Sequence, residues 1–147
     1  MSTQTVVLNN GQQAIINTDV SKIFVWNNRY DQSNYTNDTY DDVTLTAGTL
    51  LGKISATGEV IPLASAAADG SQFPIGVLAE TRTVEAGATV ALTYCVAGDV
   101  VESKVILDGS DTMSTVISGR SIRDRIGADT VGIKLVGGTE MTAYDNQ

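Results

Sequence analysis

The stretch that decides the fold runs from residue 43 to residue 105 and reads VTLTAGTLLGKI (43–54), SATGEVIPLASAAADGSQFPIGVLAETRTVEAGATVALTYCVAG (55–98) and DVVESKV (99–105). Short β-branched and aliphatic segments alternate there with turn dipeptides, namely Thr57-Gly58, Asp69-Gly70, Ala86-Gly87 and Gly98-Asp99. Such alternation is typical of short strands joined by tight turns. It predicts a compact β body and favours a structural protein over an enzyme.

Within this stretch the clearest strand is predicted around residues 90–97. Side chains alternate between the two faces of a strand, so one face carries Val90, Leu92, Tyr94 and Val96. The opposite face carries Ala91, Thr93, Cys95 and Ala97, which are small and uncharged. We therefore expect this strand to be covered on both sides.

The only helix is predicted over residues 108–128. The segment 108–111 (DGSD) offers capping groups and negative charge where a helix N-terminus favours them. Apolar residues follow at helical spacing, and Gly127 is a suitable end. A last strand is expected over 131–136, so the fold class is mainly β with one short helix.

The N-terminal part divides into two segments with different compositions. Residues 1–26 contain short apolar runs, Thr5 to Leu8 among them, which predict two or three small strands. Residues 27–42 (NNRYDQSNYTNDTYDD) contain no aliphatic side chain. The simplest interpretation is a solvated loop or linker, and the alternative is a recognition loop presenting Tyr30, Tyr35 and Tyr40. We place the domain boundary between an arm-and-loop region, 1–42, and a β-rich domain, 43–147.

Charge and composition limit the partners. The net charge is −8 and the isoelectric point is about 4.2, so phosphate backbones and anionic lipid surfaces repel the chain. We expect neither a nucleic-acid nor a membrane partner. The N-terminus lacks the features of a signal peptide, and no apolar run is long enough to span a bilayer. Synthesis in the cytoplasm is therefore expected.

The search for catalytic and metal-binding residues finds few candidates. The chain has no histidine and a single cysteine, Cys95, so His-assisted nucleophiles, disulfides and cysteine metal clusters are excluded. Asp38, Asp41 and Asp42 lie close together but lack the spacing of a calcium loop. We predict no enzymatic activity, no metal and no cofactor.

A family resemblance is carried by the body. The run Leu45 to Ile54 (LTAGTLLGKI) resembles the opening strands of lambda-like capsid-cementing proteins, the head decoration proteins of tailed bacteriophages. The likeness extends over about residues 43–107, through the segments GEVIPL (58–63), DGS (69–71), PIGVL (74–78), GATV (87–90) and VAG (96–98), and Val100.

This resemblance implies a small β-rich barrel or β-tulip-like decoration fold with an N-terminal arm. It also implies a homotrimer on the outside of an expanded icosahedral head, at threefold and quasi-threefold positions. There the protein would hold neighbouring major capsid subunits together against packaged DNA. Residues 1–42 depart from the smallest family members, because they are longer and look more structured than a disordered arm.

Two contact hypotheses follow for a virion protein of this kind. Thr5, Val6, Val7 and Leu8 are predicted to add a strand to a capsid subunit. For Trp26 the simplest interpretation is packing on the β body, and the alternative is an anchor between subunits. Tyr30, Tyr35 and Tyr40 are further candidates for a subunit or capsid contact.

Two other functions remain open alongside capsid cementing. The first is a host-surface or glycan-binding module carried on the virion, with residues 27–42 as its contact surface. The second is a small β-fold enzyme acting through carboxylates, which the absence of histidine and of known signatures disfavours.

Overall fold

The structure is a computed structural model that describes residues 3–7, 13–17 and 23–137. It confirms a mainly β fold with one short α-helix. The elements in chain order are β1 Thr3–Val7, β2 Gln13–Asn17, β3 Phe24–Thr36, β4 Val43–Leu45, β5 Leu50–Lys53, β6 Val60–Pro62, β7 Pro74–Leu78, β8 Arg82–Val84, β9 Thr89–Val101, a 3-10 turn Glu102–Lys104, β10 Val116–Ile117, β11 Arg120–Ser121, α1 Ile122–Asp129 and β12 Gly132–Val136.

A central sheet is built around the long strand β9. Its strands lie in the order β12-β9-β7-β5-β6, and β3 also pairs with β9 over most of its length. Every pairing is antiparallel except that of β12 with β9. Three two-stranded sheets accompany it, β1-β2, β4-β8 and β10-β11. The sheets are open rather than closed into a barrel.

The middle of the central sheet, formed by β5, β7 and the centre of β9, is buried on both faces. Neighbouring residues of one strand point to opposite faces, yet three adjacent pairs are almost fully buried, namely Leu50 and Leu51, Val77 and Leu78, and Tyr94 and Cys95. The first member of the β5 and β7 pairs packs with Ile122, Ile126 and Ile133, and the second packs with Leu45 and Val84. The helix thus covers one face and the β4-β8 sheet covers the other. The two-sided covering predicted for residues 90–97 is found at Tyr94 and Cys95, whereas Ala91 is exposed.

The predicted helix is much shorter than expected. Residues 108–121 form turns and the β10-β11 hairpin, and α1 starts only at Ile122. The reason is the Ser118-Gly119 dipeptide, where φ is positive at both residues (48° and 83°), as a two-residue hairpin turn requires. Ser121 then caps the helix, because its Oγ accepts a hydrogen bond from the Asp124 N–H at 3.2 Å.

The interpretation of residues 27–42 as a loop is also wrong for most of that segment. Residues 27–36 belong to β3 and pair with β9 as far as Thr36 and Thr89. Their polar side chains reflect an edge strand with an exposed face rather than a linker. Only residues 37–42 form a loop. The boundary after residue 42 remains a prediction, although β3 lies before it and pairs with β9 beyond it.

Candidate functional site

The loop that follows β3 is held in one conformation by the buried side chain of Asn37. Its amide nitrogen donates to the carbonyls of Asp41 at 2.9 Å, Val84 at 3.0 Å and Glu85 at 3.3 Å. Its carbonyl oxygen accepts from the backbone N–H of Thr39 at 3.0 Å and from the Thr39 hydroxyl at 2.7 Å. An asparagine that bonds its own backbone two residues on is a common turn device. The loop is therefore tied to the β8-β9 connection.

This arrangement presents Tyr40 on an acidic rim. Tyr40 is completely exposed (100%), and Asp38, Asp41 and Asp42 lie beside it in the chain. The Asp42 carboxylate accepts the Ala86 N–H at 3.1 Å, which anchors the end of the loop. We call residues 37–42 the Tyr40 loop. An exposed aromatic ring on a loop held by hydrogen bonds is suited to binding another surface, because the loop loses little conformational entropy on binding.

At the other end of β3 the chain bulges around Trp26. The pairing of β3 with β9 slips between Trp26 and Arg29, and the intervening Asn27 has a φ of 52°. Opposite the bulge, Gly98 has a φ of 105°, and a Cβ there would lie 2.7 Å from the Asn27 carbonyl oxygen. The Asn28 amide fastens the bulge by donating to the Asp99 carbonyl at 3.1 Å.

The bulge leaves Trp26 in solvent, with 72% of the residue exposed. The expectation that Trp26 packs on the β body is therefore wrong. Strand register places Trp26, Asp99 and Lys134 in one row across β3, β9 and β12. It places Arg29, Ala97 and Gly132 in a second row, two residues further along β9 and β12. We call these six residues the Trp26 face.

The Trp26 face points away from the core. Ile133 and Val100, the neighbours of its residues along β12 and β9, are buried in the cluster under α1. Within the part of the chain that the structure describes, neither Arg29 nor Lys134 forms an ion pair. The face thus combines an exposed indole with two available cations, in a chain of net charge −8.

The remaining predicted tyrosines behave differently from each other. Tyr35 is only 8% exposed and packs in the core under the β4-β8 sheet, so it is not available as a contact residue. Tyr30 is half exposed, and its ring meets that of Phe24 edge-on at 5.8 Å between centroids. Burial is the main cause that raises the pKa of both tyrosine hydroxyls. Both are therefore neutral at physiological pH.

The predicted capsid-binding residues Thr5, Val6 and Val7 lie in β1, and Leu8 falls outside the described residues. β1 pairs with β2 in an antiparallel register that sets Thr5 opposite Ile15 and Val6 opposite Ala14. Among the described residues these two strands form a sheet of their own. Within the described ranges, no strand pairs with the other backbone edge of β1.

The candidates for chemistry do not assemble into a reactive site. Cys95 is buried, and burial is the main cause that raises the pKa of its thiol, although a hydrogen bond from the Asn28 side chain opposes that shift. In residues 23–137, no three carboxylates or thiols converge as metal ligands, Asp38, Asp41 and Asp42 included. No helix in the described ranges is long and apolar enough to cross a membrane.

A shallow groove of about 310 Å³ runs along β4, between Val43 and Thr46 on one side and Ile106 to Asp108 on the other. Its only ionisable side chain is Asp108. A single exposed carboxylate provides neither a nucleophile–base pair nor a paired acid and base.

Comparison with known families matches the body rather than the arm. A family model described as bacteriophage lambda head decoration protein D matches residues 26–117, more than half of the chain. The chain belongs to this family. The protein is thus a structural phage protein that decorates the capsid, and the major capsid protein is the implied partner. No curated protein matches the chain.

The match has limits that bear on the site. It starts at Trp26 and includes the Tyr40 loop and all of β9. It leaves out β1 and β2 as well as α1 and β12, so Lys134 lies beyond the matched residues.

Sequence reasoning missed two features of this site. It did not identify Asn37, although the Asn37-Asp38-Thr39 spacing is that of an asparagine-based turn. Asn37-Asp38-Thr39 also has the spacing of a glycosylation triplet, but the complete burial of Asn37 rules it out as an acceptor in the folded protein. The Trp26 face depends on the register of three strands and left no signal in the sequence.

Proposed function

We propose that this decoration protein binds the outer surface of an expanded capsid as a homotrimer and cements neighbouring major capsid subunits against the pressure of packaged DNA. The family match carries the proposal, since it covers the body and defines the role as head decoration. The body fits that role physically, because it has a core cluster on each side of the middle of its sheet and so has an extensive core within one subunit.

Attachment is assigned to β1, from Thr5 towards Leu8. An extended segment of a capsid subunit would pair with the edge of β1 that β2 leaves open, with backbone hydrogen bonds supplying affinity and alternate side chains supplying register. Ordering a free residue costs about 1–2 kcal/mol in conformational entropy. Because β1 is already paired with β2, part of this entropy is lost on folding and not on binding to the capsid.

A single arm of this length binds weakly. Burying an apolar side chain such as Val6 returns about 1.5–3 kcal/mol, which little more than offsets the ordering of the chain around it. Three arms joined in one trimer bind much more tightly, because the first contact raises the effective concentration of the others. Cementing by short arms therefore requires self-association.

The direct test is the occupancy of purified expanded heads by a variant lacking residues 2–10. We expect occupancy to fall strongly while the trimer mass persists in sedimentation. Full occupancy by the deletion variant would show that the arm is not the attachment element.

A sharper version replaces Thr5 or Val6 with proline, one at a time. Successive N–H groups of a strand point to opposite edges, so one proline disrupts pairing with β2 and the other removes a donor from the open edge. Loss of head binding is expected from the open-edge proline with the β1-β2 pairing intact. Clear sugar binding on a glycan array, without affinity for heads, would instead favour the glycan-binding alternative.

A further inference from the structure

We propose that the Trp26 face of one copy receives the Tyr40 loop of a neighbouring copy, so that the trimer forms by a head-to-tail contact between the two ends of β3. The inference rests on the proposed homotrimer and assigns the surfaces that build it. It combines a row of residues from β3, β9 and β12 with the loop that Asn37 holds.

Charge complementarity selects this pairing. The Tyr40 loop carries Asp38, Asp41 and Asp42 and no cation. The Trp26 face carries Arg29 and Lys134 with Asp99 as its only acid, and neither cation forms an ion pair with another described residue. The two surfaces therefore attract each other although the whole chain is strongly negative.

The aromatic residues fit the same contact. Trp26 and Tyr40 are the two most exposed aromatic side chains in the described part of the chain. Tryptophan and tyrosine are the residues most often found at the energetic centre of protein interfaces. Beside Trp26, the small residues Ala97 and Gly132 leave room on the sheet for an incoming ring.

Distance excludes a contact within one copy. Trp26 and Thr36 lie near the two ends of the pairing of β3 with β9, and at about 3.3 Å per residue their separation is roughly 30 Å. A subunit cannot bring its own Tyr40 loop to its own Trp26 face, so the proposed contact requires a second copy. Such head-to-tail contacts close into a ring when the rotation between copies allows it.

Both surfaces are fixed before they meet. Hydrogen bonds of Asn37 hold the loop, and the Asn28 amide together with the tight approach of Gly98 holds the bulge. Little conformational freedom is lost on association, which favours a stable contact from a small area. β12 lies outside the residues that the family model matches, so Lys134 and Gly132 come from a part of this chain that the family match does not cover.

The test is charge reversal followed by sedimentation equilibrium. Arg29→Glu with Lys134→Glu reverses the face, and Asp38→Lys with Asp41→Lys reverses the loop. Asp42 stays unchanged because its carboxylate binds the Ala86 N–H. Each double variant should raise the concentration needed for half-maximal trimer about tenfold or more. Combining all four changes in one chain should restore association, because the charges then match again with opposite sign.

A matched control reverses two cations outside both surfaces, Arg120→Glu with Lys104→Glu, and changes the net charge by the same amount as the face variant. It should leave the trimer unchanged. Thermal unfolding checks the fold of every variant, and none of the four reversed side chains of the two surfaces hydrogen-bonds another described residue.

The outcomes separate this inference from the function. If the wild-type protein is a trimer and both double variants remain trimers, the pairing of the two surfaces is wrong, even if the variants no longer bind heads. The role in capsid decoration is not affected by that result. The pairing is also wrong if each double variant dissociates but the variant with all four changes does not form trimers again. A wild-type protein that is monomeric at high concentration contradicts both the pairing and the proposed homotrimer.

Discussion

Replacing Asn37 with alanine should destabilise the protein more than any other single change in the 37–42 loop. Asn37 is completely buried, and its side chain makes five hydrogen bonds, three as donor and two as acceptor. Alanine removes all five. The Val84 carbonyl then loses a partner in a buried position, where water cannot easily replace it.

The size of the effect follows from these contacts. A buried carbonyl left without a partner costs about 1–3 kcal/mol, and each remaining hydrogen bond contributes about 1 kcal/mol net, less where water can enter. The expected loss in the free energy of unfolding is therefore about 2–4 kcal/mol. For a chain of this size that corresponds to a fall of about 10 °C in Tm.

The assay is urea and thermal unfolding, with Asn34→Ala as the control. Asn34 lies on β3, three residues before Asn37, and is exposed, so its replacement should change stability by less than about 0.5 kcal/mol. Asn37→Asp keeps the shape but removes the amide donors and sets a carboxylate against three carbonyls, so at neutral pH it should be worse than alanine. If Asn37→Ala is as stable as Asn34→Ala, the reasoning about this loop fails.

Three further predictions concern the bulge, the helix and the core thiol. Gly98→Ala should lower the free energy of unfolding, measured in urea, by at least about 2 kcal/mol, because φ at this position is 105° and the new Cβ would collide with the backbone of Asn27. Arg125→Lys should lower the free energy of unfolding by about 1–3 kcal/mol, because lysine cannot both stack on Phe73, as the guanidinium does at 4.8 Å, and donate several hydrogen bonds to the carbonyls of the β10-β11 turn. An unchanged unfolding midpoint would contradict this. Cys95 should resist alkylation in the native protein near pH 8 and react fully in denaturant, since burial raises its pKa; rapid native labelling would show that the thiol is accessible.

The β body was predictable because its signals are local. Alternation of apolar residues and the glycine-containing turns located the strands, and the small uncharged face of residues 91–97 correctly indicated a second covering layer. The order of the strands in the sheet was not predictable. The parallel pairing of β12 with β9, for example, depends on contacts between residues that are far apart in the sequence.

The two errors in secondary structure have one physical origin. Residues 108–121 show helical spacing and residues 27–36 show loop-like polarity, yet tertiary context overrides both. In the first case a Ser118-Gly119 turn builds a hairpin, whose neighbouring carbonyls at Met113 and Thr115 accept the first N–H groups of α1. In the second, pairing with β9 makes a strand from residues with low strand preference.

The exposure of individual aromatic residues could not be predicted either. Trp26, Tyr35 and Tyr40 lie in similar polar surroundings in the sequence, but Tyr35 enters the core and the other two project into solvent. The difference arises from bulges that shift the register of β3 against β9 and from the Asn37 turn that ends β3. Neither device is visible from composition or periodicity.

This division of aromatic residues separates folding from assembly. Tyr35 contributes to the core, so its replacement should weaken the fold and the assembly together. Trp26 lies outside both core clusters, so Trp26→Ala should move the trimer towards monomer in sedimentation while leaving Tm nearly unchanged. A lowered Tm with unchanged mass would mean that Trp26 serves the fold after all. Because Trp26 lies outside both core clusters and is largely exposed, its indole contributes little to the stability of the isolated subunit, which agrees with the proposed contact with a second copy.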